Sequence, residues 1–131
     1  LHDHAAPDDT VLLEPLGYIG YFSQLKTYDV PGLSSPEVVA VEQSGDVDYS
    51  SIIARLHPRW LVLRPYEILH MEASPRHVLK DYDAIKGWSA RAELDAIAFL
   101  PGRHWSEWEC AYFVFHRKSA PLAPAASKPP A

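Results

Sequence analysis

Three groups of residues in this chain have types and spacing that suit chemistry, and each must be weighed against a plainer role. His2, Asp3, His4, Asp8 and Asp9 crowd imidazole and carboxylate groups together, and His-x-His spacing can chelate a divalent metal. They lie at the amino end, where the pre-organisation that metal affinity needs is poor, so no metal site is assigned. Gly17 and Gly20 follow an apolar run, as the glycines of nucleotide-binding loops do, but bulky Tyr18, Ile19, Tyr21 and Phe22 surround them. A dinucleotide fingerprint needs three glycines to admit a pyrophosphate, and a phosphate loop ends in Gly-Lys-Ser/Thr; the chain has neither. Both glycines therefore read as packing positions that let a short helix approach a sheet. Trp105 and Trp108, with His104 and Glu107 beside them, are the third group. Such aromatics can stack on a sugar ring while polar neighbours hold its hydroxyls; the plainer role is an aromatic cover over a sheet edge.

The remaining candidates are weaker. No Gly-x-Ser-x-Gly elbow occurs, so nucleophilic serine chemistry has no motif behind it. The pairs Asp81 with Asp83 and Glu107 with Glu109 alternate as a solvated face does. His57, His70, His77, His104 and His116 are scattered without ligand spacing. Cys110 is the single cysteine, which excludes an intrachain disulfide and a cysteine-based zinc site, and its apolar neighbours Ala111, Tyr112, Phe113 and Val114 mark it as an inert hydrophobe. No catalytic residue, metal site or cofactor is assigned.

Elements that must position these residues follow from the apolar pattern. Thr10 to Glu14 is a β-favouring run after a turn-prone Ala-Pro-Asp-Asp, and Pro15 to Ser23 reads as a short helix. Lys26 to Val30 is a second strand ended by Pro31 and Gly32. Two strands joined through a helix imply a crossover and parallel pairing. Most of residues 32–45, with Pro31 before it, Pro36, several serines and Gly45, reads as loop, with one apolar patch at Val38 to Val41. Asp46 or Asp48 can cap a helix with Ile52, Ile53 and Leu56 on one face, ended by His57-Pro58. Trp60 to Leu63 is a buried strand, residues 66–73 are read as helical, and Ser74-Pro75 opens a further helix through about Leu79. Tyr82, Ala84, Ile85 and Trp88 suggest a strand and Cys110 to His116 a clear one, the two pairing antiparallel at a sheet edge; Gly87 weakens the first. Residues 90–109 fit helix or strand. The expected fold is α/β: a three-layer sandwich with a mostly parallel sheet, the strands at 10–14, 26–30 and 60–63 mutually parallel, and an antiparallel edge hairpin.

With 131 residues, 47% of them hydrophobic and 22% charged, the chain is balanced to fold as one domain, expected over residues 1–118. Residues 119–131 are rich in Pro, Ala and Ser and read as a disordered tail. A net charge of −5 argues against binding nucleic acid, which is driven by cations on phosphates. The apolar stretches fall far short of the roughly 20 residues of a membrane-spanning helix, and the polar, acidic start at Leu1 is no secretory signal. The chain reads as a piece of a larger, membrane-anchored protein.

One resemblance extends beyond these readings. The segment Glu14-Pro-Leu-Gly-Tyr-Ile-Gly-Tyr-Phe-Ser23, then a strand ending in Asp29, then Gly32-Leu-Ser-Ser-Pro-Glu37, resembles the extracytoplasmic C-terminal domain of bacterial membrane-embedded glycosyltransferases that use polyprenyl-phosphate sugars, relatives of the protein mannosyltransferases and arabinosyltransferases. The matching positions are Gly17, Ile19, Gly20, Tyr21 and Phe22, followed by Asp29, Gly32 and Leu33. His57 to Pro65 is similar to a further segment of that family, and Tyr112 to Lys118 to its closing strand; residues 66–109 are unmatched. The resemblance implies a domain on the periplasmic face of the membrane, following the last span of its parent chain. Catalysis then belongs to an acidic residue near the first spans, and the domain's partners are the membrane portion, an acceptor glycan or a lipid-linked sugar. The binding candidates are Asp29, the one charged residue of the resembling motif, and Trp105 and Trp108, named for their aromatic faces outside the matched segments; acceptance of backbone N–H groups in the Gly32 turn is the plainer role for Asp29. The competing expectation is a stand-alone α/β ligand-binding module using the strand ends near Gly17 and Asp29.

Overall fold

A computed structural model describes residues 1, 3–45 and 47–118; His2, Asp46 and the tail expected at 119–131 lie outside the described residues. The fold is α/β, built on one five-stranded mixed sheet. In chain order the elements are β1 (Thr10–Leu13), α1 (Gly17–Ser23), β2 (Lys26–Asp29), α2 (Pro36–Gln43), α3 (Tyr49–Leu56), β3 (Trp60–Leu63) and α4 (Pro65–Ala73). A single 3-10 turn (Val78–Asp81), β4 (Tyr82–Ser89), α5 (Arg91–Asp95), α6 (Arg103–Trp108) and β5 (Ala111–Arg117) complete it.

The strand order is β2-β1-β3-β5-β4. Both β2 and β3 run parallel to β1, as the crossover argument requires. The other two pairings, β3 with β5 and β4 with β5, are antiparallel and span more residues, so the sheet departs from the mostly parallel one expected. The reason is that β5 returns between β3 and β4, and one strand inserted there creates two antiparallel neighbours. The edge pairing of β4 with β5 is as the sequence suggested. Gly87 is tolerated in β4 because it lies opposite Phe113, whose ring would stand 2.8 Å from any Cβ placed there and covers the backbone instead.

Alternation along the central strands divides the core. Leu12, Leu61 and Leu63 face Val38, Val41, Ile52, Ile53 and Met71, which the helices α2 to α4 contribute. Val11, Leu13, Trp60, Val62 and Val114 face the other way, onto Leu16, Ile19 and Leu25 around α1 and onto Leu1 and Ala5. Helices therefore lie on opposite faces between β1 and β2 and between β2 and β3. That second face is thinly covered: α1 buries only Ser23 and leaves Tyr18, Tyr21 and Phe22 exposed.

Two local expectations need correction, and one alternative is decided. Residues 36–43 form α2 and not a loop, because Pro36 takes the first helical position, where its missing N–H costs nothing. The helix expected from Ser74-Pro75 does not form: Ser74 is extended and His77 adopts a left-handed conformation (φ 46°), which breaks the path before the 3-10 turn. Asp48 caps α3, accepting the Ser51 amide at 3.0 Å.

Candidate functional site

Ligands of open α/β sheets bind outside the carboxyl ends of the strands, where the strand order reverses. Here that point lies between β1 and β3, since the chain leaves β1 toward β2 on one side and returns as β3 on the other. Glu14 follows β1 directly and Arg64 follows β3 directly. Arg64 is also the N-cap of α4, with Pro65 at its first position and Glu67 at its third. This Arg-Pro-x-Glu spacing works as half a capping box, in which a Glu67 oxygen accepts the Arg64 backbone N–H at 2.6 Å.

The buried Arg64 guanidinium gathers the rest of the site. Glu67, fully buried, accepts from its Nη2 at 2.7 Å and its Nε at 3.2 Å. Glu14 and Glu109 pair with the same guanidinium from its more open sides. Tyr66 accepts from Arg64 and donates to Glu14 at 3.1 Å. Tyr49 donates to Glu67 at 3.2 Å, and Tyr112 donates to Glu109. Burial lowers the affinity of Arg64 for its proton, but Glu67, with Tyr66 and Glu109, more than reverses this and keeps the guanidinium charged. Burial raises the Tyr66 and Tyr112 hydroxyls, with Glu67 adding to the first and Glu109 to the second, so both stay protonated donors at neutral pH.

An aromatic row extends outward from this cluster. The Tyr66 ring lies 5.0 Å from that of Trp108, which is 5.7 Å from His104, itself 5.7 Å from Trp105. Trp105 is 74% exposed and Trp108 47%. The insert between β4 and β5 that carries α5 and α6 thus caps the carboxyl edge of the parallel strands. It is pinned by Arg103, which donates to the Leu94 carbonyl at 3.1 Å and pairs with Asp95 and Glu107. Glu107 is therefore spent within the insert, and Glu109 is the carboxylate that reaches the cluster. The row offers flat apolar faces beside carboxylates and tyrosine hydroxyls, an arrangement suited to a neutral polyhydroxylated ring.

Asp29 ends β2 at the same edge but serves its own turn. Its buried carboxylate accepts the amides of Leu33 at 2.5 Å and Ser34 at 3.0 Å, and the hydroxyls of Ser34 at 2.8 Å and Ser35 at 2.6 Å. Burial alone would raise its pKa, but these hydrogen bonds outweigh it and hold the carboxyl below its ordinary value. Gly32 takes φ +69° there and leaves no room for a side chain, since a Cβ would meet Val39 at 2.9 Å. Leu33 is exposed. Gly20 packs closely, its Cβ position lying 3.1 Å from Leu16, whereas Gly17 has nothing within 4 Å, so only one of the two expected packing glycines is in close contact.

A second feature lies on the thinly covered face. Ile19 and Phe22 of α1, Trp60 and Val62 of β3, Tyr112 and Val114 of β5, and Ile85, Lys86 and Trp88 of β4 line a groove of about 780 Å³ together with Leu1, Asp3 and His4. Of the amino-terminal residues weighed as metal ligands, Asp3 and His4 line this groove and Asp9 accepts the Trp60 indole N–H at 2.9 Å, while His2 lies outside the described residues; among the described residues no group of three or more His, Cys, Asp or Glu side chains is arranged to hold a metal ion.

Sequence reasoning placed Trp105, Trp108 and Asp29 as candidates and missed Glu14, Arg64, Tyr66, Glu67 and Tyr112. The Arg-Pro-x-Glu run directly after a strand was the available signal for two of them. Among the described residues no helix is long and apolar enough to cross a membrane. Neither the curated proteins nor the solved structures give a match. A family model described as a domain of unknown function (DUF8728) matches residues 1–115, which take in both the strand-end cluster and the groove, and the chain belongs to that family.

Proposed function

We propose that this domain is an extracytoplasmic, non-catalytic accessory module of a membrane-embedded glycosyltransferase that uses a lipid-linked sugar donor, and that it holds an acceptor glycan at the carboxyl ends of β1 and β3. The observation that carries the reading is the 5.0 Å contact between Tyr66 and Trp108, which joins the exposed tryptophans to the Arg64, Glu14 and Glu109 cluster. Stacking supplies apolar contact to a sugar ring, and Glu14 and Glu109, partly exposed beside their pairing with Arg64, accept its hydroxyls on their open sides. The resemblance of the Gly17 to Leu33 segment supplies the parent class, the periplasmic side of the membrane and the membrane-spanning partner. In this reading the fold is a three-layer sandwich whose third layer, α1 with the amino-terminal segment, is incomplete over β4 and β5.

Catalysis is assigned elsewhere because the carboxylates at the site are committed to Arg64 and Asp29 to its turn. The test is a transfer assay with labelled polyprenyl-phosphate sugar and a glycan acceptor, run on the isolated domain beside a membrane preparation of the parent protein. Turnover is expected only from the membranes. Turnover by the isolated domain that disappears in Asp29→Ala would make Asp29 catalytic and overturn the reading.

A second reading, a stand-alone α/β ligand-binding module, is favoured by the groove under α1, whose volume lies in the roughly 300–1,000 Å³ range of small-molecule sites. The coding sequence upstream of Leu1 separates the two: many hydrophobic spans support the accessory module, and an initiator Met close by supports the stand-alone one.

A further inference from the structure

The groove on the thinly covered face differs in chemistry from the strand-end site. Its floor is Trp60, Val62 and Val114, all nearly buried, and Phe22 and Trp88 form its walls. Among the described lining residues Lys86 is the one lysine or arginine, and Asp3 is the one carboxylate: Lys86 pairs in register with Val114, and its ammonium lies 5.1 Å from the centre of the Trp88 ring. We propose that this groove binds the hydrocarbon chain of a single-chain anionic amphiphile, with the carboxylate or phosphate head at Lys86.

Shape and charge select this occupant. The space is a concave trough of about 780 Å³ between α1 and the sheet, which suits an inserted chain better than a flat surface. A lining that is mainly apolar, with polar side chains at Ser23, Tyr112, Lys86 and the amino-terminal Asp3 and His4, rewards methylenes and penalises sugars, whose hydroxyls would be stripped of water over the apolar floor. Lys86 beside an aromatic face attracts an anionic head at a place the apolar walls have partly desolvated. The chain's net charge of −5 opposes docking on an anionic bilayer or on a second copy, whereas a single head group meets Lys86 locally. The inference rests on the groove and not on the glycan reading of the strand ends, so the two can fail separately.

Four tryptophans make the test direct, because Trp60 and Trp88 line the groove and Trp105 and Trp108 do not. Their indole N–H resonances are followed in a nitrogen-15 labelled chain titrated with dodecyl phosphate or myristate below the micelle threshold. Trp60 and Trp88 should shift while Trp105 and Trp108 stay still, and two methylenes fewer should weaken binding roughly tenfold. Dodecyltrimethylammonium should bind at least tenfold more weakly than dodecyl phosphate, and Lys86→Glu should reverse that order without changing the melting temperature, since Lys86 is exposed. Phosphate-headed and carboxylate-headed ligands distinguish the two sources of the anionic group. Equal movement of all four indoles, binding only above the micelle threshold or only to vesicles, dimerisation without ligand uptake, or a head-group order unaffected by Lys86→Glu would each overturn the proposal.

Discussion

Glu67 holds Arg64 at two places at once, accepting its backbone amide at 2.6 Å with one oxygen and its guanidinium Nη2 at 2.7 Å with the other. The first bond starts α4 and the second fixes a cation at the switch point of the sheet, so helix capping and site assembly depend on one carboxylate. Removing one partner of a buried pair leaves the other uncompensated, which costs about 3–5 kcal/mol. Glu67→Gln should therefore lower stability by about 3 kcal/mol in denaturant unfolding. Glu109→Gln, at the half-exposed end of the same cluster, should cost less than about 1 kcal/mol.

Asp29 provides the pH dependence. Its folded pKa lies below the ordinary 3.8, so the unfolded chain takes up the proton first on acidification. The stabilisation is complete above about pH 5 and is lost as pH falls through the folded value. Asp29→Asn, which turns an amide toward the donors of Ser34 and Ser35, should cost about 2 kcal/mol at pH 7. That deficit should shrink when both proteins are unfolded by denaturant at about pH 3.

The glycines of the resembling segment should behave unequally. Gly20→Val forces a branched side chain against Leu16 and should destabilise by roughly 1–3 kcal/mol. Gly17→Ala meets open space inside α1 and should be neutral or stabilising by up to about 1 kcal/mol. Thermal melting of the two variants reads the contrast; equal losses would mean that Gly17 is packed in a way its surroundings do not show.

The elements legible in the sequence were those whose apolar run matched their burial. β1, β2 and β3 stood out, and the long connections between them announced parallel pairing. α2 escaped because Pro36 and the serines before it carry the composition of a loop, while only Val38 and Val41 of the helix are buried. The site was half legible. Trp105 and Trp108 were visible as types, but their connection to Tyr66 spans some forty residues and depends on α6 folding back over the strand ends. Arg64 and Glu67 were not singled out, since a buried ion pair has no local signature beyond its capping spacing.

Glycan binding at the strand ends is the central claim, and a titration of the domain with oligosaccharides, read on the four indole N–H resonances, tests it most directly. Trp105 and Trp108 should shift while Trp60 and Trp88 do not, and Trp108→Ala should abolish the response while the melting temperature moves by no more than a few degrees, as roughly 1 kcal/mol would allow. A glycan that shifts only Trp60 and Trp88, or that binds the Trp108→Ala protein as tightly as the parent, would contradict it.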